Sequence, residues 1–276
     1  MPPSPRNASE LLFEEYLTEH DYNDWSHEPA IEGKIKNPDY LLNHAGDSHI
    51  FEAKEFDGPI LPPGFAGAYN PYRPIRAKIN QAARQFKEYK VFSCSLVLAN
   101  PKSAFVRLDD PLLIFGAMLG NLGFQIPVGF LSGEDQPSEN GFPEEPIEQV
   151  FRAGGKMINY QREAAQNTTI SSIIVICTYP LRQRRMQMAL DNSERESGKP
   201  IPDEDAWTAT TETAPVTNAD RVVRAIVHEN PYARIPLSRD LFVGPFDERW
   251  GAEGEFIKRL YVGAEASRFE EAFGER

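Results

Sequence analysis

Asp39, Glu52 and Lys54 are the residues whose types and spacing could do chemistry together. Glu52 and Lys54 lie two apart in the strand-like run His49–Phe56, and residues two apart on a strand share a face, with Phe51 and Ala53 on the other. Asp39 opens a shorter apolar run, and the turn-forming residues His44–Ser48 separate the two. An antiparallel hairpin is therefore expected, and it would carry Asp39 towards Glu52 and Lys54. Two carboxylates and an ammonium make poor use of a mostly buried face unless a hard divalent cation sits between the carboxylates. Mg²⁺, or Mn²⁺ in its place, takes oxygen ligands and keeps several waters, needing only one or two protein carboxylates plus substrate phosphate. Such an ion polarises a scissile phosphate and acidifies its bound water. Lys54 would orient or help deprotonate the attacking water, or stabilise charge in the transition state. Without a cation, Glu52 and Lys54 reduce to an ion pair of little weight on a solvated strand. Asp39 then reduces to turn chemistry after Asn37-Pro38. Ile50 and Phe56, on the Glu52 face, argue for burial instead.

The elements that must position these residues follow from periodicity. Asn7-Ala-Ser9 reads as a helix start with Ser9 a candidate N-cap, and Leu12, Phe13, Tyr16 and Leu17 recur behind it at helical spacing. Trp25–Asn37 is polar and reads as a ragged strand at most. Pro59–Pro74, with five prolines, is expected to be a loop long enough to act as a lid or binding loop. Ile75–Lys90 lacks Gly and Pro and predicts a helix, and Val91–Ala99 predicts a buried strand. Strand, helix and strand in that order imply a parallel crossover and hence an α/β sheet. Further strands are expected at Ile173–Tyr179 and Arg221–His228. Ser132–Glu148 and Asp191–Asn218 are expected to be polar loops.

Pro38-Asp39, twelve intervening residues and Glu52-Ala53-Lys54 together resemble the PD-(D/E)XK nuclease superfamily, the restriction-endonuclease-like fold. The resemblance covers about Ser9 to Ala99. It implies an αβββαβ core, with a central mixed sheet flanked by helices, and C-terminal elaborations. It also implies a metal-side carboxylate on the first helix, which would be Glu10, with Glu14 one turn later as the rival. Gln85-Phe-Lys-Glu-Tyr89 is similar to the Q-x-x-x-Y helix of the RecB-type branch, giving Gln85 a part in orienting substrate, with Gln81 on the same helical face. On this reading Glu10, Asp39 and Glu52 hold Mg²⁺ or Mn²⁺, and Asp39, Glu52, Lys54 and Gln85 carry the catalysis. The triplets Glu32-Gly-Lys34 and Glu88-Tyr-Lys90 repeat the ExK pattern but fall in the wrong places for it.

The chain's 29 Lys and Arg stand against 41 Asp and Glu, a net charge of −12, which excludes a wholly basic nucleic-acid binder. The charge is uneven. Tyr69–Lys90 holds six basic residues and one acidic, a net +5, whereas Ser132–Glu148 holds six acids and no Lys or Arg. Arg73, Arg76, Lys78, Arg84 and Lys87, interleaved with Tyr69 and Tyr72, are therefore candidates to contact a nucleic-acid backbone, DNA more than RNA. Arg182, Arg184 and Arg185 form a second basic cluster. The five histidines show no metal-ligand spacing, and Gly154-Gly155-Lys156-Met157 lacks the residues of a phosphate loop. Two cysteines, Cys94 and Cys177, are too few for a disulfide scaffold or a cysteine metal site, and read as buried thiols.

Pro111–Gly133 is uncharged, but its prolines and glycines suit core segments broken by turns rather than a membrane span. No apolar run follows the N-terminus, so no secretory signal is expected and the compartment is read as cytoplasmic. The expected organisation is a flexible tail over 1–8 and a nuclease-like domain over 9–188. A polar loop over 189–218 follows, then a C-terminal strand and loop segment over 219–276 packed on the same domain. The expected function is metal-dependent hydrolysis of nucleic-acid phosphodiesters, in defence or repair. The rivals are an inactive nuclease-like domain serving as a nucleic-acid or protein interaction module, and a scaffold whose acidic loops recruit a basic partner.

Overall fold

The computed structural model describes residues 6–34, 36–56, 70–100, 108–125, 148–159, 161–180, 221–254 and 256–267. Its first helix, α1 (Ala8–Glu19), is started by Asn7 and not by Ser9. The Asn7 side chain accepts from Glu10 N–H at 3.0 Å while Glu10 accepts from Asn7 N–H at 2.8 Å. This reciprocal pair satisfies two of the helix's orphan donors. Ser9 is instead buried, with its hydroxyl on the Ala99 carbonyl, so residues 6–8 belong to the ordered domain and not to a tail.

The hairpin forms where the turn residues predict it. Strands β1 (Trp25–His27), β2 (Tyr40–His44) and β3 (Asp47–Glu55) are antiparallel, with Tyr40 opposite Phe51. Ala45 and Gly46 both take positive φ, 51° and 90°, which is the tight two-residue turn that matches strand twist. Among the described residues of the polar stretch Trp25–Asn37, only the first three are strand. Helix α2 (Tyr72–Gln85) starts before Ile75, with Pro74 in its first turn, where a missing N–H breaks no helical hydrogen bond. It gives way to a 3-10 turn at Phe86–Glu88, so Lys90 lies outside it. Strand β4 (Ser93–Ala99) then lies parallel to β3, and all seven of its residues are buried.

Helix α3 (Pro111–Leu119), capped by Asp110, is apolar nearly all round and buried from Ile114 to Leu119. It runs into β5 (Gly120–Gln125), which pairs with β6 (Glu148–Gly154) in a separate two-stranded sheet. Among the described residues no helix is long and apolar enough to cross a membrane. Strand β7 (Ile170–Pro180) adds to the main sheet parallel to β4. It is followed there by β8 (Arg221–Glu229), β9 (Glu248–Glu253) and β10 (Phe256–Val262). The result is a mixed eight-stranded sheet of order β1-β2-β3-β4-β7-β8-β9-β10 with helices on both faces. Residues 132–147, 189–218 and the arginines at 182, 184 and 185 lie outside the described residues.

Alternation along β3 sorts the two faces. Phe51 and Ala53 pack with Phe13, Tyr16 and Leu17 of α1, whereas Ile50 and Phe56 pack with Ile75 and Ile79 of α2. The C-terminal strands are locked to the N-terminal helix by Asp247, which is fully buried. Its carboxylate accepts from Tyr16 Oη, from Ala225 N–H at 2.8 Å and from Gly244 N–H at 2.6 Å. Asp247→Ala strands two buried donors and a part-buried one and is expected to cost about 3 kcal/mol or more. That lowers Tm by roughly 6–12 °C in a thermal melt. A change under about 1 kcal/mol would show that this node does not hold the two segments together.

Candidate active site

Past Tyr40 the β2–β3 ladder ends, and the Asp39 side chain continues it. Asp39 Oδ2 accepts from Ala53 N–H at 2.8 Å, taking the place of a backbone carbonyl, while Asp39 O accepts from Glu28 N–H at 2.9 Å. The same Oδ2 lies 3.3 Å from Lys54 Nζ, and Glu52 Oε2 lies 2.9 Å from it. Lys54 thus bridges one oxygen of each carboxylate, leaving Asp39 Oδ1 and Glu52 Oε1 outside its grip. The cluster is graded in exposure, with Glu52 1% exposed and the Lys54 and Asp39 side chains 19% and 22%. It opens to solvent from the Asp39 side.

The electrostatics follow from that burial. Burial pushes the Glu52 carboxyl up to about 7, the Asp39 charge adds to the rise, and the Lys54 ammonium opposes it. Burial acts to lower Lys54, but Glu52 and Asp39 together outweigh it and hold the ammonium above its ordinary value. The site is short of positive charge: one ammonium serves two carboxylates, and the buried one resists ionisation.

Glu10 stands nearby. Burial raises its pKa, and it feels the charges of Asp39, His27 and Lys54, although the cap of α1 engages its side chain. Glu14 is drawn elsewhere, accepting from Tyr40 Oη at 3.0 Å and pairing with Arg6. Of the two helix carboxylates, Glu10 is therefore the one whose electrostatics couple to the cluster. Among the described residues no three His, Cys, Asp or Glu side chains converge closely enough to hold a metal ion. The site is a carboxylate pair with Glu10 beside it.

Gln85 ends α2, half-buried, and makes no hydrogen bond to Asp39, Glu52 or Lys54. Gln81 is exposed. Tyr89 is buried, and its hydroxyl donates to the Lys36 carbonyl, tying down the segment that leads to Asp39 three residues later. The basic candidates separate into three kinds. Arg73, Arg84 and Lys87 are exposed, whereas Lys78 is half-buried with its ammonium 6.0 Å from the Phe56 ring, two residues beyond Lys54. Arg76 is not free for a ligand. Its Nη2 donates to Gly116 O at 2.7 Å and to Asn121 Oδ1 at 2.8 Å, and its Nε to Ala117 O at 3.4 Å. Arg76 caps the C-terminal carbonyls of α3, whose last turn has no basic residue of its own. Tyr69 lies outside the described residues, and Tyr72 sits under the Arg76 guanidinium at 5.2 Å.

Sequence reasoning missed Glu55 and Tyr40 as supports of the site. Glu55 Oε2 accepts from Ala8 N–H at 3.0 Å and so fixes the start of α1, and with it Glu10, over the end of β3. Both residues share the Phe51 face, and alternation from Glu52 was the available signal. Cys94 is buried and Cys177 half-buried, and both are free thiols. Comparison of the chain with models of protein families, with curated protein sequences and with solved structures found no match.

Proposed function

We propose that the protein is a metal-dependent phosphodiesterase that cuts nucleic acid, DNA in preference to RNA, as a cytoplasmic enzyme of defence or repair. The observation that carries the reading is the Asp39–Lys54–Glu52 cluster. It is an almost fully buried carboxyl pushed to about 7, a second carboxylate, and one shared ammonium at 2.9 and 3.3 Å. A merely structural pair would be expected to balance its charges, and this one does not. The order α1–β1–β2–β3–α2–β4 supports the likeness to a restriction-endonuclease-like αβββαβ core.

Asp39 and Glu52 would hold Mg²⁺ or Mn²⁺, with Glu10 assisting from the start of α1. When bound, the ion supplies positive charge to the scissile phosphate and acidifies a water. The chain's own part is to fix that geometry. Asp39 is held in place by Ala53 N–H, and β4 backs the β3 segment that carries Glu52 and Lys54. Lys54, whose ammonium lies between the two carboxylates, would meet the attacking water or the developing phosphate charge.

Incubating the protein with supercoiled plasmid, single-stranded DNA and RNA, each with Mg²⁺, Mn²⁺ or chelator, tests this. Cutting is expected only in the metal lanes and faster on DNA, and Asp39→Asn and Glu52→Gln should each lose at least about a hundredfold in rate. Absence of metal-dependent cutting on all three substrates would exclude the catalytic reading in favour of a binding module.

A further inference from the structure

The two ExK triplets that fall outside the cluster, Glu32-Gly33-Lys34 and Glu88-Tyr89-Lys90, meet in space. Gly33, Lys34, Lys87, Glu88, Lys90 and Val91 line an open groove of about 380 Å³ between the segment preceding Asp39 and the end of the 3-10 turn. Lys34 Nζ lies 5.9 Å from the centroid of the Tyr89 ring, and the Tyr89 hydroxyl holds the Lys36 carbonyl, so the two walls are bound to each other. Lys87 and Lys90 are exposed and Lys34 is half-buried, and Val91 beside them is 77% exposed. Gly33 takes φ +74° with open space around it, which lets the loop turn without filling the groove.

We propose that this groove is a second anion-binding site, in which Lys34, Lys87 and Lys90 hold the phosphates of the strand that continues from the Asp39–Glu52–Lys54 cluster. The inference rests on the nuclease reading for the identity of the strand. Three ammoniums against the single carboxylate of Glu88 leave the lining of the groove net positive, which selects a ligand with repeated negative charge. An exposed valine among them suits a ligand that also carries apolar faces, as a nucleotide strand does and a bare acidic peptide does not. The distance also fits. Lys34 lies five positions before Asp39, at most about 18 Å of extended chain. That is within about five nucleotides at the 3.4 Å rise of one strand.

The test is binding of a fluorescent single-stranded 20-mer DNA to the full chain in chelator, so that no cutting intervenes, over a range of salt. The triple variant Lys34→Gln, Lys87→Gln, Lys90→Gln changes two exposed side chains and one half-buried one, and circular dichroism checks its fold. The slope of log affinity against log salt is expected to fall by about 2, three contacts at about 0.7 each. At moderate salt the affinity should fall at least about tenfold, with poly-glutamate failing to compete at equal charge. An unchanged slope and affinity in a variant whose wild type binds would overturn the groove and leave the nuclease reading standing. Equal competition by poly-glutamate would overturn it in favour of an acidic protein partner. A wild type that binds through these lysines but never cuts would uphold the groove and sink the catalytic reading, and a wild type that does neither would sink both.

Discussion

Lys54→Met is expected to abolish metal-dependent cutting, with a loss of at least about a hundredfold in rate and little change in the binding of DNA in chelator. A positioned acid–base group contributes about 10²–10⁴ and a preorganised charge a similar factor, so removing a group that serves either role falls in that range. Methionine keeps the apolar stem that Lys54 buries, so the variant isolates the ammonium. The ammonium is the only group hydrogen-bonded to both Asp39 Oδ2 and Glu52 Oε2 among the described residues. Its removal takes away the charge that opposes the rise of the Glu52 carboxyl, so Glu52 keeps its proton to a higher pH than in the wild type. Fold is therefore retained, and metal affinity is expected to change less than rate, because the cation itself can replace the lost charge. Cutting by Lys54→Met at the wild-type rate, with the fold verified by circular dichroism, would remove Lys54 from the chemistry.

Metal affinity is expected to rise with pH through the neutral range. An ordinary glutamate ionises near 4.5, whereas burial holds the Glu52 carboxyl protonated up to about 7. A cation binding there must displace that proton, so its apparent affinity climbs by up to about tenfold per pH unit below 7 and levels off above it. Stability of the metal-free protein moves in the opposite sense. Between about 4.5 and 7 the unfolded chain has lost a proton that the folded chain keeps, so this group's contribution falls as pH rises through that window. Lys54 acts in another window: its pKa is raised above 10.5, so its contribution is present at neutral pH and is lost only in strong alkali. Calorimetric titration with Mn²⁺ from pH 5.5 to 8.5, beside thermal melts in chelator, reads both effects. Glu52→Gln should flatten the two profiles. Wild-type metal affinity that is flat across that range would show that Glu52 is not a ligand.

The Asp39–Glu52–Lys54 arrangement was legible because three local signals agree: alternation, a turn-rich insert, and apolar Ile50 and Phe56 on the Glu52 face. The sheet around it was legible in its central strands, where uninterrupted apolar runs such as Val91–Ala99 admit few other readings. What stayed hidden depends on contacts distant in sequence. Arg76 reads as a basic helix residue until the carbonyls of Gly116 and Ala117 are placed against it, forty residues away in the chain. Lys34 gains meaning only when the fold sets it beside Lys87 and Lys90. The start of α1 turned on whether Asn7 or Ser9 caps it, two good capping residues two positions apart, and the reciprocal Glu10 bond decides for Asn7. Strands β9 and β10 were missed because β9 mixes Arg249 and Trp250 with charge that is neutralised across the sheet, by Glu229 in the case of Arg249.

The cluster draws on two parts of the sheet that differ in how firmly they are held. Glu52 and Lys54 sit on β3, which is paired with β2 and with the buried β4, whereas Asp39 lies just before β2, whose outer neighbour is the three-residue edge strand β1. Edge segments open more readily than central ones, in motions far smaller than global unfolding. Heat or mild denaturant should therefore silence the protein reversibly while its core persists, by letting one carboxylate swing away from the other. The Tyr89 hydroxyl on the Lys36 carbonyl is the tie that holds the segment leading to Asp39 against the end of the 3-10 turn.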